Sequence, residues 1–208
     1  LVEYENQILP VIPKTFLDLD FAMHSLYVAS DEDEAKYPDF LRKAEKRLAK
    51  AQRKLSQKQK ESHNREKQRL RVAILHEKVA NQRRDFLHKK ARYLADRYDV
   101  IGIEDISVKA MAKRKKGGKF SFGKSVADNG WNMFTNMLEY KLAWQGKKLI
   151  KIDKWYPSSQ LCHVCGYQNH ETKDLSVREW DCPKCGSHHN RDKNAAINIR
   201  EEARRISA

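Results

Sequence analysis

The chain has no long hydrophobic run. None of its apolar stretches approaches the roughly 18 residues that a membrane span needs, so nothing in it reads as a spanning helix. It has no cysteine outside two short pairs, so a scattered disulfide framework is excluded. Nothing within these residues reads as a secretory leader, so the expectation is a reducing setting. The chain is also short of acids. Lys and Arg number 42 against 28 Asp and Glu, giving a net charge of +14 and a pI of about 9.6. Such a balance suits a polyanionic partner, most often nucleic acid, although a solvated basic surface would have the same composition. At 208 residues there is room for one substantial domain and a small insert.

The four cysteines are Cys162 and Cys165, then Cys182 and Cys185, with positions 166–181 between the pairs. That spacing falls within the four-cysteine zinc signature. Each pair can turn two thiolates to one side, and two such knuckles complete a closed tetrahedral site. Two disulfides, or a redox Cys-x-x-Cys, are the competing readings. A reducing compartment and the matched pairing favour zinc.

Organisation follows from periodicity. Leu1 to Glu5 alternate apolar and polar residues without an initiator Met, like the last strand of something upstream; residues 1–14 are therefore expected to end a preceding domain. Residues 15–29 read as two short strands with a turn near His24-Ser25. The acidic stretch Asp31 to Glu34 reads as a solvated loop. From about 37 to 99 the pattern is helical. Leu41, Ala44, Leu48, Ala51 and Leu55 form one stripe; Leu70, Ala73, Ile74, Glu77 and Ala80 form another, continued by Phe86, Leu87, Ala91 and Leu94. Ser62 or Asn64 can cap the second helix. The expectation is an antiparallel helical hairpin whose Lys and Arg suit phosphate contacts. Val100 to Glu104 is a strand. Residues 112–124 form a basic loop, with Lys113, Arg114, Lys115, Lys116, Lys119 and Lys124 as candidate nucleic-acid contacts. Asp128 or Asn129 can cap a helix to about Trp144. Lys148 to Ile152 is a strand, the cysteine unit spans 158–190, and a final helix starts near Asp192. Strands alternating with helices predict an α/β sheet.

Three acids stand at strand edges or a helix start: Asp20, Glu104 and Asp192. Hard oxygen ligands gathered at a sheet end would bind Mg²⁺ or Mn²⁺, and two ions about 4 Å apart suit phosphodiester cleavage. Each acid has a plainer reading. Asp192 could be a helix N-cap and Glu104-Asp105 an ordinary turn; Asp20, in an apolar strand, has the weakest plain explanation.

Leu19-Asp20-Phe21-Ala22-Met23, Ile103-Glu104-Asp105-Ile106-Ser107, the double Cys-x-x-Cys and Asn190-Arg191-Asp192-Lys193-Asn194-Ala195-Ala196 occur in that order. Together with Phe122-Gly123-Lys124 and Lys154-Trp155-Tyr156-Pro157-Ser158-Ser159, they resemble the C-terminal half of the TnpB, or OrfB, family. These are transposon-encoded, RNA-guided DNA endonucleases related to type V CRISPR effectors. The resemblance implies a RuvC-like domain of RNase H-like fold over 15–157, carrying the helical hairpin. A zinc-ribbon-like target-nucleic-acid-binding insert would occupy 158–190, and the final RuvC motif 191–208. It implies Asp20, Glu104 and Asp192 as catalytic Mg²⁺ ligands, and Cys162, Cys165, Cys182 and Cys185 as zinc ligands. DNA, a guide RNA and their hybrid would be the partners, and the cytoplasm of a prokaryotic cell, at the nucleoid, the location.

Two departures stand out. Asp18 occupies a place where the family usually has Gly; on the same strand face as Asp20, it could compete for metal. Asn190 stands where an Asp is common. The family's N-terminal half, which grips the guide RNA, does not match anything here. The alternative expectation is therefore a nuclease-inactive nucleic-acid-binding module.

Overall fold

The computed structural model describes residues 8–21, 25–31, 34–106, 130–174 and 176–207. Seven strands and four α-helices are placed among them: β1 (Phe16–Phe21), β2 (Ser25–Ala29), β3 (Glu34–Lys36), α1 (Phe40–Ser56), α2 (His63–Arg97), β4 (Val100–Glu104), α3 (Trp131–Ala143), β5 (Lys148–Ile152), β6 (Glu179–Asp181), β7 (His188–Asn190) and α4 (Arg191–Ser207). The first five strands make one mixed sheet in the order β3-β2-β1-β4-β5. The β1–β2 and β2–β3 pairs are antiparallel; β1–β4 and β4–β5 are parallel. No helix among the described residues is long and apolar enough to cross a membrane.

Strand β1 sits in the middle and is covered on both faces. Its side chains alternate between them. Leu17 and Leu19 enter the larger core, with Ile101 and Ile103 of β4, Leu87, Ala91 and Leu94 of α2, and Phe134, Leu138 and Leu142 of α3. Phe16 lies on the opposite face, where Val100, Ile150 and Ile152 pack against Ile199 and Ala203 of α4. Asp18 and Asp20 share that face with Phe16. The sheet thus has α2 and α3 on one side and α4 on the other, and the two acids of β1 belong to the α4 side.

The expected hairpin is present. Ser62 caps α2, its hydroxyl accepting from the Arg65 N–H at 3.2 Å. At 35 residues α2 is about 52 Å long, far longer than the sheet is deep. Only its C-terminal portion reaches the large core, while α1 braces the rest. One stripe is corrected. Leu70 is 50% exposed and Ile74 60%, so the Leu70–Ala80 face points outward. The face turned to α1 carries Gln68 and Val79, both buried. Gln68 wins the inner position because its amide donates to the Ala51 carbonyl at 3.0 Å, which hydropathy does not register. Edge strand β3 also replaces part of the expected loop, since Glu34–Lys36 pair with β2. The helix expected from Asp128 or Asn129 begins at Trp131 among the described residues.

Candidate active site and metal centre

The C-terminal ends of β1 and β4 lie side by side. Their parallel register pairs Asp18 with Gly102 and Leu19 with Ile103, which sets Asp20 beside Glu104. The first turn of α4 brings Asp192 to the same edge. Acids far apart in the chain therefore meet because two parallel strands and one helix end there together. The charges of Glu104 and Asp192 both reach Asp20. Burial first, then these two neighbours, push its carboxyl up to about 8. Arg191, itself buried, pulls in the other direction.

Glu104 and Asp192 are each held by a residue that sequence reasoning missed. The Ser158 hydroxyl donates to Glu104 Oε1. Arg178 pairs with Asp192 at 3.5 Å. Asp192 is not the helix cap. Asn190 has that role, its side-chain oxygen accepting from the N–H groups of Asp192 and Lys193, both at 3.2 Å. Asn at position 190 thus serves the helix end and leaves the Asp192 carboxylate available to the acid row.

Asp18 has different surroundings. It is fully buried, and among the described residues neither carboxylate oxygen has a hydrogen-bond partner within normal geometry. It packs over Gly102 so closely that a Cβ there would come within 1.8 Å of its Oδ1 and 2.9 Å of Ala203. Burial pushes its carboxyl up to about 8, against the pull of nearby Arg200. Its charged neighbours are Arg200 and Glu201 on α4, whereas those of Asp20 are Glu104, Asp192 and Arg191.

The four thiols are gathered more tightly than the acids. Their sulfurs all lie within 4.8 Å of one another, the one such metal-competent group found among the described residues. The close pairs cross between knuckles: Cys162 to Cys185 and Cys165 to Cys182, both 3.6 Å. A tetrahedral zinc with bonds of about 2.3 Å needs sulfurs roughly 3.8 Å apart, whereas a disulfide needs about 2.05 Å, so the donor set fits a metal. The two knuckles repeat one backbone pattern. Gly166 N–H donates to the Cys162 carbonyl and Gly186 N–H to that of Cys182, both at 2.8 Å. Gly166 and Gly186 have φ of 71° and 72°, a left-handed turn that favours glycine. A Gly directly after each Cys-x-x-Cys was the sequence signal for this. His189 is buried, its Nε2 3.1 Å from Cys162 Sγ and its ring against Trp180. The Ser187 hydroxyl holds the Cys185 thiol down at about 6.

The thiol unit is bolted to α4. Asn194 accepts from the His163 backbone N–H at 3.1 Å and lies 2.9 Å from His163 Nδ1, and it donates to the Leu161 carbonyl at 2.6 Å. Asn198 donates to the carbonyls of Ser158 (2.8 Å) and Leu161 (2.7 Å). Asn190, Asn194 and Asn198 recur every four residues, so one face of α4 caps the helix, grips the first knuckle and anchors Ser158, which in turn meets Glu104. The candidate loop residues Lys113, Arg114, Lys115, Lys116, Lys119 and Lys124 lie outside the described residues.

Residues 131–199 match the Cas12f1-like TNB domain model, and residues 1–115 the OrfB/IS605 model, described as "Probable transposase". Two relatives are named "Putative RNA-guided DNA endonuclease". One, from Streptomyces pristinaespiralis, is 40% identical over 87% of this chain and 43% of its own length. The other, InsQ of Escherichia coli K12, is 33% identical over 91% and 50%. The chain therefore spans about half the length of these relatives. The fold resembles that of Cas12f1 in a cryo-EM structure of its complex with sgRNA and target DNA, with a TM-score of 0.59 and 21% identity over 93% of this chain and 51% of that one. With the transposase model matching more than half of its residues, the chain belongs to the OrfB/IS605 family.

Proposed function

We propose that the chain is the RuvC-like endonuclease domain of an RNA-guided, transposon-associated DNA nuclease, with a structural zinc centre. In this reading the sheet and its helices over 15–157 form an RNase H-like domain. Residues 158–190 are a zinc-ribbon-like insert for target nucleic acid, and 191–208 complete the nuclease. The observation that carries the reading is the convergence of Asp20, Glu104 and Asp192 at one sheet edge, close enough for two of them to raise the third. Three carboxylates so placed call for a cation. The strand order, with β1 and β4 parallel at the centre, supports the RNase H-like assignment.

Asp20, Glu104 and Asp192 would hold Mg²⁺ or Mn²⁺, and a pair of such ions would supply Lewis-acid stabilisation of charge building on a phosphodiester. Around them the chain orients its own ligands. Ser158 fixes Glu104, Asn190 frees Asp192 from capping, and the buried guanidinium of Arg191 offsets part of the negative charge near Asp20. The four thiolates would hold Zn²⁺ and so fix Ser158 through Asn198. The +14 charge suits DNA, guide RNA and their hybrid as partners.

Single-stranded and plasmid DNA incubated with the chain and Mg²⁺, with and without EDTA, test the proposal. Cleavage that EDTA stops and Asp20→Ala removes supports it. Salt-dependent binding with no cleavage supports the nuclease-inactive module instead.

A further inference from the structure

Between β5 and the first knuckle the chain makes a short loop, residues 153–158, whose two ends are tied to the acid row. At one end the Asp105 N–H donates to the Ile152 carbonyl at 3.0 Å. At the other, Ser158 donates to Glu104. Midway stands Trp155, 80% exposed. It is held by a built turn. Its N–H donates to Asp153 Oδ1 at 2.7 Å, and the next N–H, of Tyr156, to the Asp153 carbonyl at 2.9 Å. Tyr156 then packs into the small core beside α4. A large indole kept in water on a fixed backbone leaves its face free for a ligand. Trp144 is also exposed, at 66%, but it rests on Tyr140 with ring centroids 4.7 Å apart. Among the described residues, the ring or cation contact made by Trp155 is with the Lys154 ammonium, 5.1 Å from its centroid, a cation suited to a neighbouring phosphate.

We propose that Trp155 is a stacking platform for a nucleobase of the single strand that enters the acid row. The inference rests on the nuclease reading above. Ser158 lies three positions after Trp155, so the two Cα atoms are at most about 10 Å apart. With a reach of roughly 5 Å added for the side chains at each end, the base on Trp155 lies within about 20 Å of the phosphate at Glu104, or roughly six nucleotides at the ~3.4 Å rise of a stacked strand. Stacking on an indole is indifferent to base identity, which suits an enzyme whose sequence choice is made elsewhere.

The test is binding of a short mixed-sequence DNA single strand carrying one 2-aminopurine, measured by anisotropy and by 2-aminopurine quenching at several salt concentrations. Trp155→Ala is expected to weaken binding by about 5- to 150-fold, the value of one stacked base, and to abolish quenching at one position. Trp155→Phe should restore most of both, and the salt slope should be unchanged, because stacking releases no counterions. Trp144→Ala serves as the control and should bind like the parent. Parent-like binding by Trp155→Ala, an equal loss in Trp144→Ala, or a flattened salt slope overturns the stacking role alone. A parent chain that binds no single strand overturns the nuclease reading along with it.

Discussion

The two candidate metal centres are built in opposite ways. The thiol centre comes from two near-identical knuckles inside the single segment Cys162–Cys185, each shaped by its own turn and glycine. Its donors already sit at metal-ready separations. The acid row draws on β1, β4 and α4, which lie near the start, middle and end of the chain. It is less tightly gathered, and two of its three members are held by Ser158 and Arg178. A site made of local turns can form with its metal as a unit. A site made of strand ends exists only when the whole sheet has formed.

The strongest test of this contrast is at the thiols. Zinc binding to such sites is worth on the order of 10 kcal/mol or more. Protein purified without chelator should contain about one zinc per chain. Cys182→Ser should lose it and expose the amides of 158–190 to hydrogen exchange, while α2, α3 and the sheet keep their protection. Loss of protection across the sheet as well would show that the insert is not a separate unit.

Asp18 probes the sheet-built half of the contrast from the stability side. Its carboxyl is near 3.8 when unfolded and about 8 when folded, so the folded chain holds the extra proton between those values. Stability should therefore be unaffected by this group below about pH 4 and fall as pH rises to 8. The full penalty above that has a ceiling on the order of 5 kcal/mol. Asp18→Asn should match the parent in urea melts at low pH and exceed it increasingly toward pH 8. A constant difference across that range would refute the burial argument. Asp18→Gly should leave DNA cleavage largely unchanged, since the neighbours of Asp18 are not those of Asp20.

At the acid row, Asp20→Ala, Glu104→Ala and Asp192→Ala should each lower cleavage at least about 10²-fold, because a cation's stabilisation is worth several kcal/mol. DNA binding, read by anisotropy, should persist. The smallest effect is at the join. Asn198→Ala strands the carbonyls of Ser158 and Leu161 and should cost about 1–3 kcal/mol in thermal or urea unfolding. It should also lower cleavage with zinc content unchanged, since it loosens Ser158 against Glu104. Lost zinc in that variant would mean the join holds the knuckle itself.

Much of this was legible in the sequence. The helical hairpin, strands β4 and β5 and the final helix stand where periodicity placed them, and the four cysteines gather as their spacing implied. The outward stripe of α2 was misread because hydropathy ranks Leu70 and Ile74 above Gln68, whereas the interface with α1 rewards an amide that can reach a carbonyl. Ser158 and Arg191 lie inside segments that carry the resemblance and Arg178 outside them, but none was given a role, because only the return of the chain to β4 and α4 gives them a carboxylate to face.

What is local was written in the chain alone. Each Cys-x-x-Cys-Gly carries its turn, and each apolar period carries its helix, because the interactions that form them lie within a few residues. Long-range packing settled which of two aspartates on one strand face reaches the acid row. Alternation puts Asp18 and Asp20 on the same side of β1. The strand then ends just past Asp20, opening it toward Glu104 and Asp192, while α4 closes over Asp18 against Gly102. That choice depends on where a helix from the far end of the chain lies across the sheet, and no local pattern records it.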